Sequence, residues 1–183
     1  GYGDSPSRWV KGTTPQPIGW QAGVQYDGDV SIAKTILADL DTYYPGATKA
    51  EVAGFLWWQG DRDSRDTALA DRYEHNLVNL IDQLRKEFNA PKAKFVAASL
   101  GQNAKGEKQR GWQILDAVLA VDGASGKYPQ YKGNVAGVYS HPYSKGSESG
   151  SHYGQNAETY MEIGQAMGSA MVGLLKTSSD ITV

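Results

Sequence analysis

The amino-acid sequence predicts an α/β fold in which helices pack on both faces of a parallel sheet. Short apolar runs alternate with longer segments of helical periodicity, and each apolar run ends abruptly in polar residues. The predicted order α-β-α-β-α-β-α is the one that right-handed crossovers between parallel strands produce. Ligands bind such sheets outside the carboxyl ends of the strands, so the polar residues there are the first candidates for a functional site.

Composition narrows the class of protein. At 183 residues the chain is long enough for one domain with a substantial core. It has 18 Lys and Arg against 20 Asp and Glu, and this net charge of −2 gives no reason to expect nucleic acid or a membrane as a partner. No apolar run approaches the roughly 20 residues that span a bilayer. Cys is absent, which excludes disulfides and thiolate metal sites, and no cofactor is expected.

The N-terminal part of the chain divides into a loop and a helix. Residues 1–28 are rich in Gly and Pro and lack hydrophobic periodicity, which predicts a loop segment packed on an α/β domain formed by residues 29–183. Asp29 is the predicted N-cap of the first helix, and Pro45-Gly46 ends it. The apolar stripe of this helix consists of Ile32, Ile36, Leu37, Leu40 and Tyr44.

Three apolar runs predict strands at residues 52–58, 94–100 and 134–140. A long helix is expected between the first two, starting at Asp66 or Thr67 and ending before Pro91. The next helix carries Trp112 in its apolar stripe and stops near Gly123.

The last helix is expected at residues 156–176. It contains Gly164 and Gly168, and small residues four apart predict that this helix is pressed closely onto the sheet.

Three strands make a thin sheet for four helices. The loop at residues 1–28 lacks the strand that normally opens such a fold. We therefore expect part of the sheet to come from outside residues 1–183.

The residues after the first strand, Gln59-Gly60-Asp61, combine an amide, an unshielded backbone N–H and a carboxylate. An amide and an N–H aimed at one point form an oxyanion hole. The structural alternative is a capping turn between strand and helix, where Gly and Asp are common. Asp61, Asp63 and Asp66 do not indicate calcium, because the expected Gly is missing and the twelfth position is Arg72 rather than Glu. No metal site is predicted.

His152 lies before the last helix, where its side chain can lean over the carboxyl edge of the sheet. It is the candidate general base for a hydroxyl nucleophile, which needs a base to take its proton. An exposed histidine at a helix start is the equally weighted alternative. His141, at the end of the third strand, is the second candidate, against a packed loop histidine. His75 is expected on the solvated face of its helix.

Gly3-Asp4-Ser5 matches the start of the GDSL hydrolase nucleophile motif. Only two residues precede it, Pro6 follows, and no strand or helix pattern flanks it. Ser5 is therefore a weak candidate nucleophile, because that motif depends on a strand to place its serine.

The segment Trp57-Trp58-Gln59-Gly60-Asp61-Arg62-Asp63 resembles the W-x-Q-G-E-(S/D) block of the sialate O-acetylesterase-like branch of the SGNH hydrolases. The helix starting at Tyr73 is similar to the one that follows this block. Ser151-His152-Tyr153-Gly154 and the helix containing Tyr160 resemble the histidine block and terminal helix of the same family. The resemblance covers most of residues 52–175.

This resemblance implies a three-layer, flavodoxin-like αβα fold and hydrolysis of acetyl esters on sugars. It implies His152 as catalytic base, and Gln59 and Gly60 at the oxyanion hole. The family's nucleophile lies in a G-Q-S-N segment that this sequence lacks. We therefore expect Gly1 to be a processing point, and the first strand and its Ser to lie on an upstream fragment of the same precursor.

The acid that precedes the family's histidine by three residues is replaced here by Ser149. The role of orienting His152 then falls to Asp61, to Glu148 or to no residue, and Asp61 is favoured. A Ser hydroxyl could fix the tautomer but could not stabilise imidazolium as a carboxylate does.

The predicted function is a secreted or periplasmic serine carbohydrate O-acetylesterase. Trp58, His141, Trp9 and Trp20 are candidates for binding the sugar, and Tyr26 is a further aromatic candidate; for the aromatic residues, a place in the core or as a loop anchor is equally expected. Two alternatives stay open. One is a carbohydrate-binding relative that has lost its nucleophile, and the other is hydrolysis by Ser5.

Overall fold

The protein contains a three-stranded parallel sheet. The computed structural model describes residues 24–145 and 151–176. Its strands are β1, Gly54–Trp58; β2, Lys94–Ala98; and β3, Val135–Val138. They lie in the order β1-β2-β3, and the register joins Trp57 to Ala97 and Ala97 to Gly137. The three predicted strands and their parallel arrangement are confirmed, each slightly shorter than expected.

Helices cover both faces of this sheet. They are α1, Val24–Ala38; α2, Leu40–Tyr43; α3, Thr67–Ala70; α4, Tyr73–Glu87; α5, Trp112–Val121; and α6, Ala157–Lys176. Phe95 and Ala97 of β2 pack in the same core as buried side chains of α4 and α5. Val96 and Ala98 point to the other face, where they join Ile163 and Met167 of α6. The predicted three-layer α/β architecture is confirmed.

One predicted helix start is wrong, and one helix predicted as continuous is interrupted, although its predicted start and end are confirmed. α1 begins at Val24, so Asp29 lies inside the helix and residues 24–28 are not a loop. The run Asp27-Gly28-Asp29 is typical of a turn and conceals the helix in the sequence. The long second helix is divided: the Asp66 carboxylate caps α3 by accepting from Ala68 N at 2.8 Å, and α3 ends three residues before α4 starts.

The prediction that Gly164 and Gly168 bring α6 close to the sheet is also wrong. A Cβ at either position would meet no atom within 4 Å. The close approach is made instead by Gly54 of β1, where a Cβ would lie 2.6 Å from Cε of Met171 on α6. The glycine at the contact between α6 and the sheet is therefore Gly54 of β1, not a glycine of α6.

Gly164→Ala is expected to raise the free energy of unfolding by about 0.5–1 kcal/mol, since Gly in a helix interior is less stable than Ala and the site has room for the methyl group. Gly54→Ala is the contrasting variant, and it is expected to destabilise because its methyl group would lie 2.7 Å from the Lys94 carbonyl oxygen, a backbone atom that cannot move aside as the Met171 side chain can. Urea unfolding of both variants measures these changes. A lower stability for Gly164→Ala would contradict the assignment of open space.

The outer edge of β1 has no strand partner among the described residues. Leu56, in the middle of this strand, is 56% exposed. Beside β1 lies a cavity of about 790 Å³ that we call the α1–β1 groove. Its apolar lining comes from α1, β1 and α4 and includes Val30, Ala33, Leu37, Phe55, Trp57, Leu80 and Leu84. Among the described helices, none is long and apolar enough to cross a membrane.

Candidate active site

Three polar segments meet at the carboxyl ends of the strands. Residues 59–63 follow β1, residues 99–103 follow β2, and residues 139–143 follow β3. Parallel strands end at the same side of a sheet, so these segments are neighbours by construction. We call this surface the carboxyl edge.

Gln59 is held in place by α4. The Tyr73 hydroxyl lies 2.7 Å from the Gln59 carbonyl and 3.2 Å from its Oε1, and it accepts a bond from Trp57 Nε1 at 3.2 Å. Burial raises the pKa of Tyr73 above its ordinary value, so the phenol stays protonated and can donate. Gln59 Nε2 donates to Asp63 Oδ2 at 2.7 Å. An amide nitrogen carries two hydrogens, and Asp63 uses one of them.

Gly60 fits where no side chain could. Its φ of +141° disfavours other residues, and a Cβ would lie 2.6 Å from Cγ2 of the fully buried Ile114. The Gly60 carbonyl accepts from Ser64 N at 2.8 Å. Within the described part of the chain, no acceptor bonds the Gly60 N–H, so its role as an oxyanion donor stays a prediction.

The Asp61 carboxylate forms ion pairs with two arginines. Oδ2 lies 2.6 Å from Arg65 Nη2, and Oδ1 lies 3.7 Å from Arg110 Nη2. Arg65 is four residues further along the chain. No described hydrogen bond joins Asp61 to His152, so its role in orienting the histidine stays a prediction. Glu148 and Ser149 lie outside the described residues.

His141 is fixed by the turn that follows β2. Its Nδ1 lies 2.8 Å from the Gly101 carbonyl, and a carbonyl can only accept, so Nδ1 carries the hydrogen. When neutral, the imidazole therefore presents Nε2 as an acceptor. The ring stacks on Tyr139 at 6.0 Å between centroids, and Lys105 Nζ lies 4.5 Å from the centre of that tyrosine ring. His141 is half-buried, and these contacts fit the packed loop histidine given as the alternative, so its role at the site stays a prediction.

The position of the His152 backbone follows from the contacts of its neighbour Tyr153 at the carboxyl edge. The Tyr153 ring stacks on Trp58 at 5.6 Å, and its hydroxyl accepts from Gly101 N at 3.2 Å. The His152 Cα is one peptide from that of Tyr153, and Gln59 directly follows Trp58. These contacts bring the backbone beside His152 to the end of β1, and the position of its imidazole relative to Gln59 stays a prediction. The His152 side chain is exposed, and no bond to its imidazole is present within the described segments.

The remaining candidates fall in different places. Trp58 is half-buried, bonds Ser99 O through Nε1 at 3.1 Å, and has Tyr153 stacked on its ring. Tyr26 is only 5% exposed and belongs to the main core, so the core interpretation is correct for it. Trp9, Trp20 and Ser5 lie outside the described residues. His75 is exposed on α4 as predicted, with Nε2 3.0 Å from Asn79 Nδ2.

Sequence reasoning missed the contributions of Tyr73, Gly101 and Tyr153 to the site. Tyr73 was missed because its spacing matches the apolar stripe of α4, which predicts a core residue. Tyr153 is adjacent to His152, and this adjacency is the signal that could have identified it. Gly101 gives no local signal, because its importance depends on which side chains approach it from other segments.

The fold and these side chains define an α/β protein whose candidate site lies at the carboxyl edge of a parallel sheet. The model of the family described as carbohydrate esterase, sialic acid-specific acetylesterase matches residues 7–173, so the chain belongs to this family of carbohydrate esterases. The predicted family and fold class are confirmed.

A protein of Arabidopsis thaliana with an X-ray structure has a similar fold, with a TM-score of 0.58 and 20% sequence identity. The match covers 81% of this chain and 52% of the plant protein, so the chain spans about half the length of that relative. No curated protein sequence matches the chain.

Proposed function

We propose that the carboxyl edge is the catalytic site of a serine carbohydrate O-acetylesterase, with His152 as general base. The observation that supports this proposal is the packing of Tyr153 onto Trp58 and Gly101, which brings the backbone adjacent to His152 to the carboxyl edge. Membership of a carbohydrate esterase family supports the reaction type.

The proposed reaction has two steps. A serine Oγ attacks the acetyl carbonyl while His152 takes its proton; the tetrahedral intermediate then collapses, and His152 returns the proton to the departing sugar hydroxyl. Water, deprotonated by His152, then attacks the acyl-serine, and His152 returns that proton to the serine Oγ as acetate leaves. The Gly60 N–H and the second Nε2 hydrogen of Gln59 would stabilise the oxyanion in both steps. His141 Nε2 would accept a hydrogen bond from a sugar hydroxyl. Trp58, Trp9 and Trp20 would contact the sugar.

We infer that the nucleophilic Ser and the strand carrying it come from an upstream segment of the same precursor. The unpaired edge of β1, the exposed Leu56 and the apolar α1–β1 groove support this inference. An added strand beside β1 would end at the carboxyl edge and bring its following residues next to Gln59. We also propose a secreted or periplasmic location for the assembled protein.

Acetate release from acetylated saccharides tests the proposal. The isolated chain is expected to be inactive, and the polypeptide that includes the natural upstream sequence is expected to turn over. Ser5→Ala should leave that activity unchanged. Turnover by the isolated chain that Ser5→Ala abolishes would overturn the proposal. Sugar binding without turnover in the longer polypeptide would instead identify the non-catalytic binding relative.

A further inference from the structure

The backbone that carries His152 has an uncommon conformation. His152 has φ 56° and ψ 42°, Tyr153 has φ 52° and ψ 38°, and Gln155 has φ 61°. These non-glycine residues, together with Gly154, form a left-handed turn. Side chains disfavour that region, so it persists only where surrounding contacts hold it, and such strained segments cluster at functional sites.

The contacts that hold this turn converge on Tyr153. Its ring stacks on Trp58 with an interplanar angle of 15° and meets Tyr160 edge-on at 5.8 Å. Its carbonyl accepts from Asn156 N at 3.2 Å, and the Asn156 side chain caps α6 by accepting from Thr159 N at 2.8 Å. Tyr153 thus connects the turn to β1 and to the start of α6.

The hydroxyl of Tyr153 makes a third connection, to the segment after β2. It accepts from Gly101 N, while the Gly101 carbonyl is bonded to His141 Nδ1. A side chain at Gly101 would fit tightly, since a Cβ would lie 3.0 Å from both Tyr153 Cε1 and Ser144 Cβ and these side chains would have to shift slightly. The two histidines of the carboxyl edge are therefore coupled to one glycine.

We propose that Tyr153 is the positioning residue for His152. The imidazole of His152 is exposed and makes no bond of its own among the described residues, so its location is set by the neighbouring ring. The clamp formed by Trp58, Tyr160 and Gly101 around Tyr153 fixes the left-handed turn and, with it, the place from which His152 acts. The effect on turnover rests on the proposed esterase function; the effect on the backbone does not.

The structural test uses NMR of the isolated chain. Tyr153→Ala removes the ring and is expected to make the His152 amide mobile on the picosecond to nanosecond timescale and to shift the His152 Cα resonance from its left-handed value. Tyr153→Phe keeps the ring and removes only the bond to Gly101, so a smaller shift is expected. Tyr43→Ala, at an exposed position on α2, is the control. An unchanged His152 amide in both Tyr153 variants would overturn the proposal.

The kinetic test uses the polypeptide with its upstream sequence. Misplacing a catalytic group can cost about 100-fold, so Tyr153→Ala is expected to lower kcat by about that factor with little change in KM. Tyr153→Phe, which loses one hydrogen bond, is expected to lower kcat by about fivefold. If Tyr153→Ala does not fold, Tyr153→Phe alone decides, and an unchanged kcat in that variant would overturn the proposal.

Failure of the two proposals can be told apart. An inactive longer polypeptide with wild-type Tyr153 contradicts the esterase function, while the NMR measurements still decide whether Tyr153 positions the turn. An active polypeptide that loses activity in His152→Ala but not in either Tyr153 variant contradicts the positioning role alone.

Discussion

His152→Ala is expected to lower kcat/KM for acetyl-ester hydrolysis by roughly 100- to 10,000-fold, the range of general-base contributions in enzymes. The serine hydroxyl would lose the group that takes its proton, and the sugar oxygen would lose its proton donor. Binding of the acetylated sugar should change little, because neither proton transfer occurs in the ground state. Steady-state kinetics of the polypeptide with its upstream sequence provides the measurement.

His75→Ala is the matched control, because His75 is also exposed but lies on α4 and bonds Asn79. It is expected to retain full activity. His141→Ala is expected to raise KM more than it lowers kcat, since His141 is proposed to hold a sugar hydroxyl. Undiminished turnover by His152→Ala would rule out its role as the base, and a loss confined to His141→Ala would transfer that role to His141.

The part of the fold set by local periodicity could be predicted from the sequence. Each buried strand is an apolar run followed by polar residues, and β2, buried at all five positions, shows this most clearly. The start of α1 could not be predicted, because Asp27, Gly28 and Asp29 favour a turn locally, whereas the helix is favoured by Tyr26 and Val30, which pack in the core on either side of them. The prediction that Gly164 and Gly168 bring α6 close to the sheet was wrong because small residues permit close packing but do not require it.

The site was predicted less completely than the fold. Position along the chain placed Gln59 and Gly60 at the carboxyl edge, because they directly follow β1, and it predicted that His152 lies over the same edge. Position along the chain could not show that Arg65 forms an ion pair with Asp61. It also could not show that Gly101 forms hydrogen bonds with both His141 and Tyr153. Those partners lie on different segments, and only the packing of the strands determines which of them meet.

Gly60→Ala is expected to lower the free energy of unfolding by about 2–4 kcal/mol, the combined effect of overpacking and of a backbone conformation that disfavours a side chain. The added methyl group would lie 2.6 Å from Cγ2 of Ile114, which is fully buried and has little freedom to move. Urea denaturation with an unchanged m-value measures the loss. The same variant should also lose activity, because the backbone that presents the Gly60 N–H would shift.

Gly106→Ala separates the two causes. Gly106 also has a positive φ, +84°, but a methyl group added there would meet no atom within 4 Å, so only the backbone cost of about 1–2 kcal/mol applies. Ile114→Ala removes the clashing Cγ2, so the Gly60→Ala/Ile114→Ala double variant should be more stable than the sum of the two single changes predicts. Simple additivity would mean that Ile114 does not restrict Gly60, and the constraint on the proposed oxyanion donor would then come from the backbone conformation alone.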